Sequence, residues 1–223
     1  MRKFLLLLAV TAGLAGGTAL VAGSGGQASA QKAADALAAH YRNARTLKAI
    51  FLETYRGGGD DLRVESGTVY FRRPGLMRWD YEAPQKKLFL VAGREAWLYV
   101  PSRHTATRTA VRHSADWRTP FALLTGKANL HDLCARVSLV PNPGGPGAPP
   151  ASHALLDCAP KKGEGFLDAQ IELDQLDRIV RVVVRQPGDI QTEVQFAKWK
   201  ENLPVPESLF KFQPPPGVSV VNR

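Results

Sequence analysis

Between Ser66 and Val100 the apolar positions fall into short runs rich in aromatic and branched residues: V-Y-F, L-M-R-W-D-Y, L-F-L-V-A and A-W-L-Y-V. Pro74-Gly75, Ala83-Pro84 and Gly93-Arg94 separate them. Punctuation of this kind predicts consecutive antiparallel strands. Tyr70, Phe71, Trp79, Tyr81, Phe89, Trp97 and Tyr99 all lie within this stretch. A sheet with so much apolar width must bury it against a core, a lid or a ligand.

The flanking patterns extend the same picture. Ala33, Leu37, Tyr41, Ala44 and Leu47 recur at three- and four-residue steps, which predicts an amphipathic helix over Gln31–Lys48. A strand is predicted over 49–56, then a turn at Gly57–Asp60, then a partner strand over Leu62–Arg72. Gly67 inside that strand marks a bulge or a close approach of backbone. Around Trp117, Phe121 and Leu124 the pattern changes to a short helix over His113–Lys127, with Thr119 as cap and Pro120 in its first turn. Strands follow over 132–140, 166–174, 178–185 and 190–199. Pro141–Pro150 cannot enter a sheet interior and is expected to be a mobile surface loop. The fold class is mainly β with a few helices. Ten or eleven strands at this turn spacing suggest an up-and-down sheet curled toward a barrel.

The N-terminus changes the address. Arg2 and Lys3 precede an apolar run, and Ala28-Ser29-Ala30 forms a small-x-small site. Residues 1–30 are expected to be an export signal cleaved after Ala30, leaving 31–223 as one soluble domain. A Gly-broken run with a cleavage site argues against a membrane anchor. The formal charge is +9, and loss of Arg2 and Lys3 leaves +7. An exported basic protein meets membrane surfaces, lipid headgroups or acidic partners rather than nucleic acid. Cys134 and Cys158 are the two cysteines. In an oxidising compartment they are expected to pair, tying the base of the Pro/Gly loop.

The mature chain carries no G-x-S-x-G, H-E-x-x-H or phosphate-cradling glycine loop. The five histidines are scattered, so neither a metal nor another cofactor is expected. Apolar surface is what stands out. Helices either close a dry core or lie as a lid over a lipid-sized cavity, and periodicity by itself favours the dry core.

The order of motifs adds to this. G-T-V-Y-F-R-R-P-G-L-M-R-W-D-Y-E-A-P, then A-W-L-Y-V-P, then T-P-F-A-L-L, then L-F-K-F-Q-P-P-P-G-V-S-V resembles the outer-membrane lipoprotein carrier proteins, the LolA family. The resemblance covers nearly all of the mature chain. It implies an unclosed antiparallel β-barrel with a helical lid, and a monomeric periplasmic carrier that catalyses nothing. The implied partners are acylated lipoproteins, an inner-membrane ABC-type transporter that releases them, and an outer-membrane acceptor. Met77, Trp79 and Tyr81 match cavity-facing positions of the family, and Arg73 matches the arginine that holds the lid by hydrogen bonds to backbone carbonyls. The implied cavity takes in Phe51, Tyr70, Phe71, Met77, Trp79, Tyr81, Phe89, Trp97, Tyr99, Phe121 and Leu124. The cysteine pair and the 141–150 loop depart from the family's core pattern and leave the cargo open. A same-fold lipid or glycolipid carrier, an envelope-sensing module and an exported lipid hydrolase are the alternatives.

Overall fold

The computed structural model describes residues 24–111, 121, 123–126, 129–140, 152–161 and 165–223. Residues 1–23 of the expected export signal, most of the expected second helix with Thr119 and Pro120, and the Pro/Gly loop lie outside the described residues. The chain enters as helix α1 (Ser24–Arg42) and continues as strands β1 (Thr46–Arg56), β2 (Leu62–Arg72), β3 (Leu76–Ala83), β4 (Lys87–Ala92), β5 (Glu95–Val100) and β6 (Thr105–Ala110). After a short helix, α2 (Leu130–Leu133), come β7 (Cys134–Val140), β8 (Ser152–Pro160), β9 (Asp168–Asp174), β10 (Ile179–Gln186), β11 (Ile190–Glu201) and β12 (Ser219–Asn222).

These strands form a single sheet in the order β12-β6-β5-β4-β3-β2-β1-β11-β10-β9-β8-β7. The sheet curls without closing, because β12 and β7 end it on opposite sides. Neighbours are antiparallel except β12, which lies parallel to β6 through Ser219–Asn222 opposite Thr105–Arg108. That pairing makes twelve strands where turn punctuation predicts ten or eleven. Hairpin signals do not announce it, since β12 returns after a long segment and not across a turn.

Helix α1 ends six residues before the predicted Lys48, and β1 begins at Thr46 instead of 49. Leu47, Ala49, Phe51 and Glu53 are buried in alternation, so the strand period wins over the helical spacing of Ala44 and Leu47. Long-range bonds fix the break. The Arg45 N–H donates to Asn202 Oδ1 at 2.8 Å, and the Arg73 N–H donates to the Arg45 carbonyl at 2.9 Å. The Thr46 hydroxyl donates to the Leu203 carbonyl at 2.7 Å.

Alternation gives the sheet two different faces. The inner face carries Phe51, Val69, Phe71, Met77, Trp79, Tyr81, Ile171, Val182, Val194 and Phe196, all buried in one cluster with Ala30, Ala34, Leu37 and Tyr41 of α1. On the outer face, Leu88, Leu90 and Phe210 are buried with Tyr70, Leu76, Trp97, Tyr99, Val205, Leu209 and Phe212 packed around them. The segment after β11 therefore crosses back over β3, β4 and β5. It is held there by Arg78, whose Nη1 donates to the Leu209 carbonyl at 2.8 Å.

Gly67 is both a bulge and a close approach. The β2–β3 register shifts between Ser66 and Gly67. A Cβ on Gly67 would stand 1.9 Å from the Asp80 carbonyl oxygen, which no side chain can occupy. Gly67 pairs with Phe51 on one side and Tyr81 on the other, and those two rings meet edge-on across it at 5.0 Å. Gly67→Ala is expected to destabilise the fold by about 2–3 kcal/mol, as overpacking does. Urea unfolding of the purified variant measures this, and an unchanged midpoint would contradict the geometry.

Cys134 and Cys158 form a disulfide joining β7 to β8, with 24 residues of sequence separation. A loop of that length stabilises a fold by about 3 kcal/mol in the chain-entropy model. The untreated protein is expected to show no thiol titre, and reduction should lower the unfolding midpoint. Reactive thiols in native protein would rule the bridge out.

Candidate functional site

Trp79 is the centre of the inner face. It is fully buried, and rings surround it: Phe51 at 4.7 Å, Phe121 at 5.4 Å, Phe196 at 6.1 Å, Phe71 at 6.2 Å and Tyr81 at 6.4 Å between centroids. Offset and edge-on ring pairs of this kind each add roughly 0.5–1.5 kcal/mol beyond area burial. Phe121 does not belong to the sheet. It lies between β6 and α2 in the chain, and it reaches both Trp79 and Phe196, the latter at 5.6 Å. Phe121 and Leu124 are both 0% exposed. The segment 121–126 thus presses two apolar side chains onto the aromatic face.

One side chain fastens that segment to the sheet. Arg73 stands at the turn between β2 and β3, where its Nε donates to the Leu124 carbonyl at 3.4 Å and its Nη2 to the Leu123 carbonyl at 3.1 Å. The Gly75 N–H adds a backbone bond to the Thr125 carbonyl at 2.9 Å. Gly126 has φ +72, and a Cβ there would stand 3.1 Å from Arg73 Cδ and Nε. Glycine suits that backbone and leaves the arginine room to lie flat. Burial lowers the pKa of the Arg73 guanidinium from its ordinary value. A cleft of about 330 Å³ opens between this fastening and α1, lined by Leu37, Tyr41, Arg42, Leu123 and Leu130 among others.

Helix α1 is anchored by its own buried phenol. The Ile179 N–H donates to Tyr41 Oη at 3.1 Å, and burial raises the Tyr41 pKa well above its ordinary value. Trp199 completes this corner by donating from Nε1 to the Ile179 carbonyl at 2.7 Å. The inner face becomes polar at Tyr81. Its hydroxyl donates to Glu53 Oε2 at 2.7 Å, and Lys87 lies 4.1 Å over its ring while pairing with Glu65 at 2.5 Å.

Of the residues singled out from the sequence, Phe51, Phe71, Met77, Trp79, Tyr81, Phe89, Phe121 and Leu124 come together in the inner cluster. Tyr70, Trp97 and Tyr99 do not. Strand alternation puts them on the outer face, where Trp97 and Tyr99 each lie 5.3 Å from Phe212. They cannot line an inner cavity in this arrangement. The implied cavity takes in aromatic residues of both strand faces, and only one face turns inward. Sequence reading also passed over Phe196 and Trp199 of β11 and the buried Glu53. For Phe196 the signal was present, since Thr192, Val194 and Phe196 are buried at period two.

An open, curled, mainly antiparallel sheet whose aromatic face is covered by a helix and by the residues around Phe121 and Leu124 defines a class of apolar-ligand binding proteins. Comparison with known proteins narrows it. Residues 42–213 match the family described as Outer membrane lipoprotein carrier protein LolA. A protein of Nitrosospira multiformis named outer-membrane lipoprotein carrier protein is 30% identical over 81% of this chain and 84% of its own. One of the same name from Dechloromonas aromatica is 31% identical over 86% of this chain and 88% of its own. An uncharacterized conserved protein of Thermus thermophilus has the same fold, with a TM-score of 0.53 at 16% identity over 87% of this chain and 99% of its own. This chain belongs to the LolA family of outer-membrane lipoprotein carrier proteins.

Phe121 fills the space above Trp79, so removing its ring should leave an apolar hollow there. Phe121→Ala is expected to raise the affinity for an environment-sensitive apolar dye while costing about 3–5 kcal/mol of stability. Dye titration beside urea unfolding separates the two effects. A variant that loses stability without gaining dye would show an ordinary core residue.

Proposed function

We propose that the protein is a periplasmic carrier that holds the acyl chains of lipoproteins against the inner face around Trp79. It takes them from an inner-membrane transporter and releases them to an acceptor at the outer membrane. Export would remove residues 1–30, and the mature helix would keep Ala34, Leu37 and Tyr41, its buried contacts with the sheet. The function is binding and release, with no bond made or broken.

The observation that carries this reading is the contact of Arg73 with Leu123 and Leu124 above a fully buried aromatic face. Phe121 and Leu124 occupy the place acyl chains would take, so loading requires the 121–126 segment to lift. Hydrogen bonds from a guanidinium are worth about 1.5–3 kcal/mol, enough to bias a lid and too little to lock it. A carrier needs that range, because a ligand shifts two states only by its differential affinity for them. The apolar lining supplies the tight half of the cycle and the latch the release.

Arg73→Leu removes the bias toward the closed state and adds apolar surface. The variant is expected to hold lipoprotein about ten- to a hundredfold more tightly and to deliver it more slowly. Transfer from loaded carrier to an acceptor membrane fraction measures this, and native mass spectrometry of the purified protein should then show acylated cargo accumulating. Equal release rates for wild type and variant would make Arg73 an ordinary surface arginine.

A further inference from the structure

Beside Arg73, just past the end of α1, lies a groove of about 640 Å³ between the end of β2 and the chain leaving β11. Its walls bring together Arg45, Arg72 and Arg73 with the amides of Asn43 and Asn202. Among the described residues no carboxylate pairs with Arg45 or Arg72. Glu207, whose field reaches Arg72, is taken by Lys211 at 2.9 Å. Arg72 Nη1 is buried and has no hydrogen-bond partner. A buried guanidinium nitrogen left without an acceptor is unfavourable and rare in native proteins. Asn202 spends its Oδ1 on the Arg45 N–H, which leaves its amide nitrogen as a further donor.

We propose that this groove binds a phosphate oxyanion, supplied by the headgroup of an anionic phospholipid or by free phosphate. Arginine forks match the oxygens of a phosphate, and the three arginines and two asparagine amides of the groove all offer donors. A headgroup in the groove would bring the exit of the inner face to a membrane surface. It would also compete with the Leu123 and Leu124 carbonyls for Arg73, since a charged acceptor binds a guanidinium more strongly than a neutral one. Arrival at an anionic membrane would then favour the raised lid. That coupling rests on the carrier reading, whereas the binding of phosphate does not.

The test uses cargo-free mature protein and cosedimentation with phosphatidylcholine vesicles, with and without phosphatidylglycerol, at low salt. Binding is expected only to the anionic vesicles. Arg72→Gln and Arg45→Gln are each expected to weaken it about fivefold, the worth of one basic residue near such a surface. Arg136→Gln removes the same charge from an exposed position on β7 and is expected to leave binding unchanged. Inorganic phosphate is then added against chloride at matched ionic strength. Stronger competition by phosphate assigns the groove to the free anion, and equal competition assigns it to the headgroup. No binding to anionic vesicles together with no phosphate-dependent rise in the unfolding midpoint of the wild type, or the same loss from all three variants, overturns the proposal; such a rise without vesicle binding assigns the groove to the free anion. Arg45 is exposed, so Arg45→Gln keeps the test open if the Arg72 variant does not fold. Vesicle binding without cargo is read independently of lipoprotein transfer, so failure of one leaves the other standing.

Discussion

A curled sheet that does not close must find cover for its apolar inner face, and most other features of this protein answer that requirement. Trp79 sits where the requirement is greatest, with no exposure at all in a ring-lined nest. Regular strands cannot supply the cover, because the strands on either side already belong to the sheet. It comes from α1 and from the 121–126 segment. Among the described residues this cover meets the strands mainly through side chains, with the Gly75 N–H donating to the Thr125 carbonyl beside them. The outer face is covered separately. The segment around Phe210 and Phe212 gives that face its own small core, while Phe89 of β4 and Ala96 of β5 belong to the inner cluster.

The contact of Arg73 with the segment above it is chemically modest. Arg73 reaches two carbonyls and not a carboxylate, so the contact carries no buried ion pair whose rupture would strand a charge. Gly126 and Gly75 are the backbone accommodations that let the arginine and the turn meet the segment closely. The polar group Tyr81–Glu53–Lys87–Glu65 interrupts the apolar inner face at another part of the sheet.

Much of the architecture was legible in the chain. Strand punctuation placed β2 to β5, Gly67 announced its bulge, and the motif order carried the family and the contact of Arg73 with backbone carbonyls. What escaped has physical causes. The helical spacing of Ala44 and Leu47 is also compatible with strand burial of Leu47, Ala49 and Phe51, and only pairing with β2 and β11 decides between them. Aromatic content alone does not state which face a residue takes; strand alternation turns Tyr70, Trp97 and Tyr99 outward, where Trp97 and Tyr99 meet Phe212. The partner of Trp97 is more than a hundred residues away in sequence, beyond the reach of any local pattern. The groove at Arg72 is likewise assembled from the ends of distant strands.

The two borders of the open sheet are unequal. At β7 the border is braced three ways, by the disulfide to β8, by α2 running directly into it and by α1 lying across it. At β12 it is a strand of four exposed residues held to β6 alone. Swelling of the interior around a bulky guest would therefore be one-sided. The braced flank acts as a fixed jamb, and the strain of widening falls on the β12–β6 seam, so the shape of the guest would be registered at the carboxyl end of the chain.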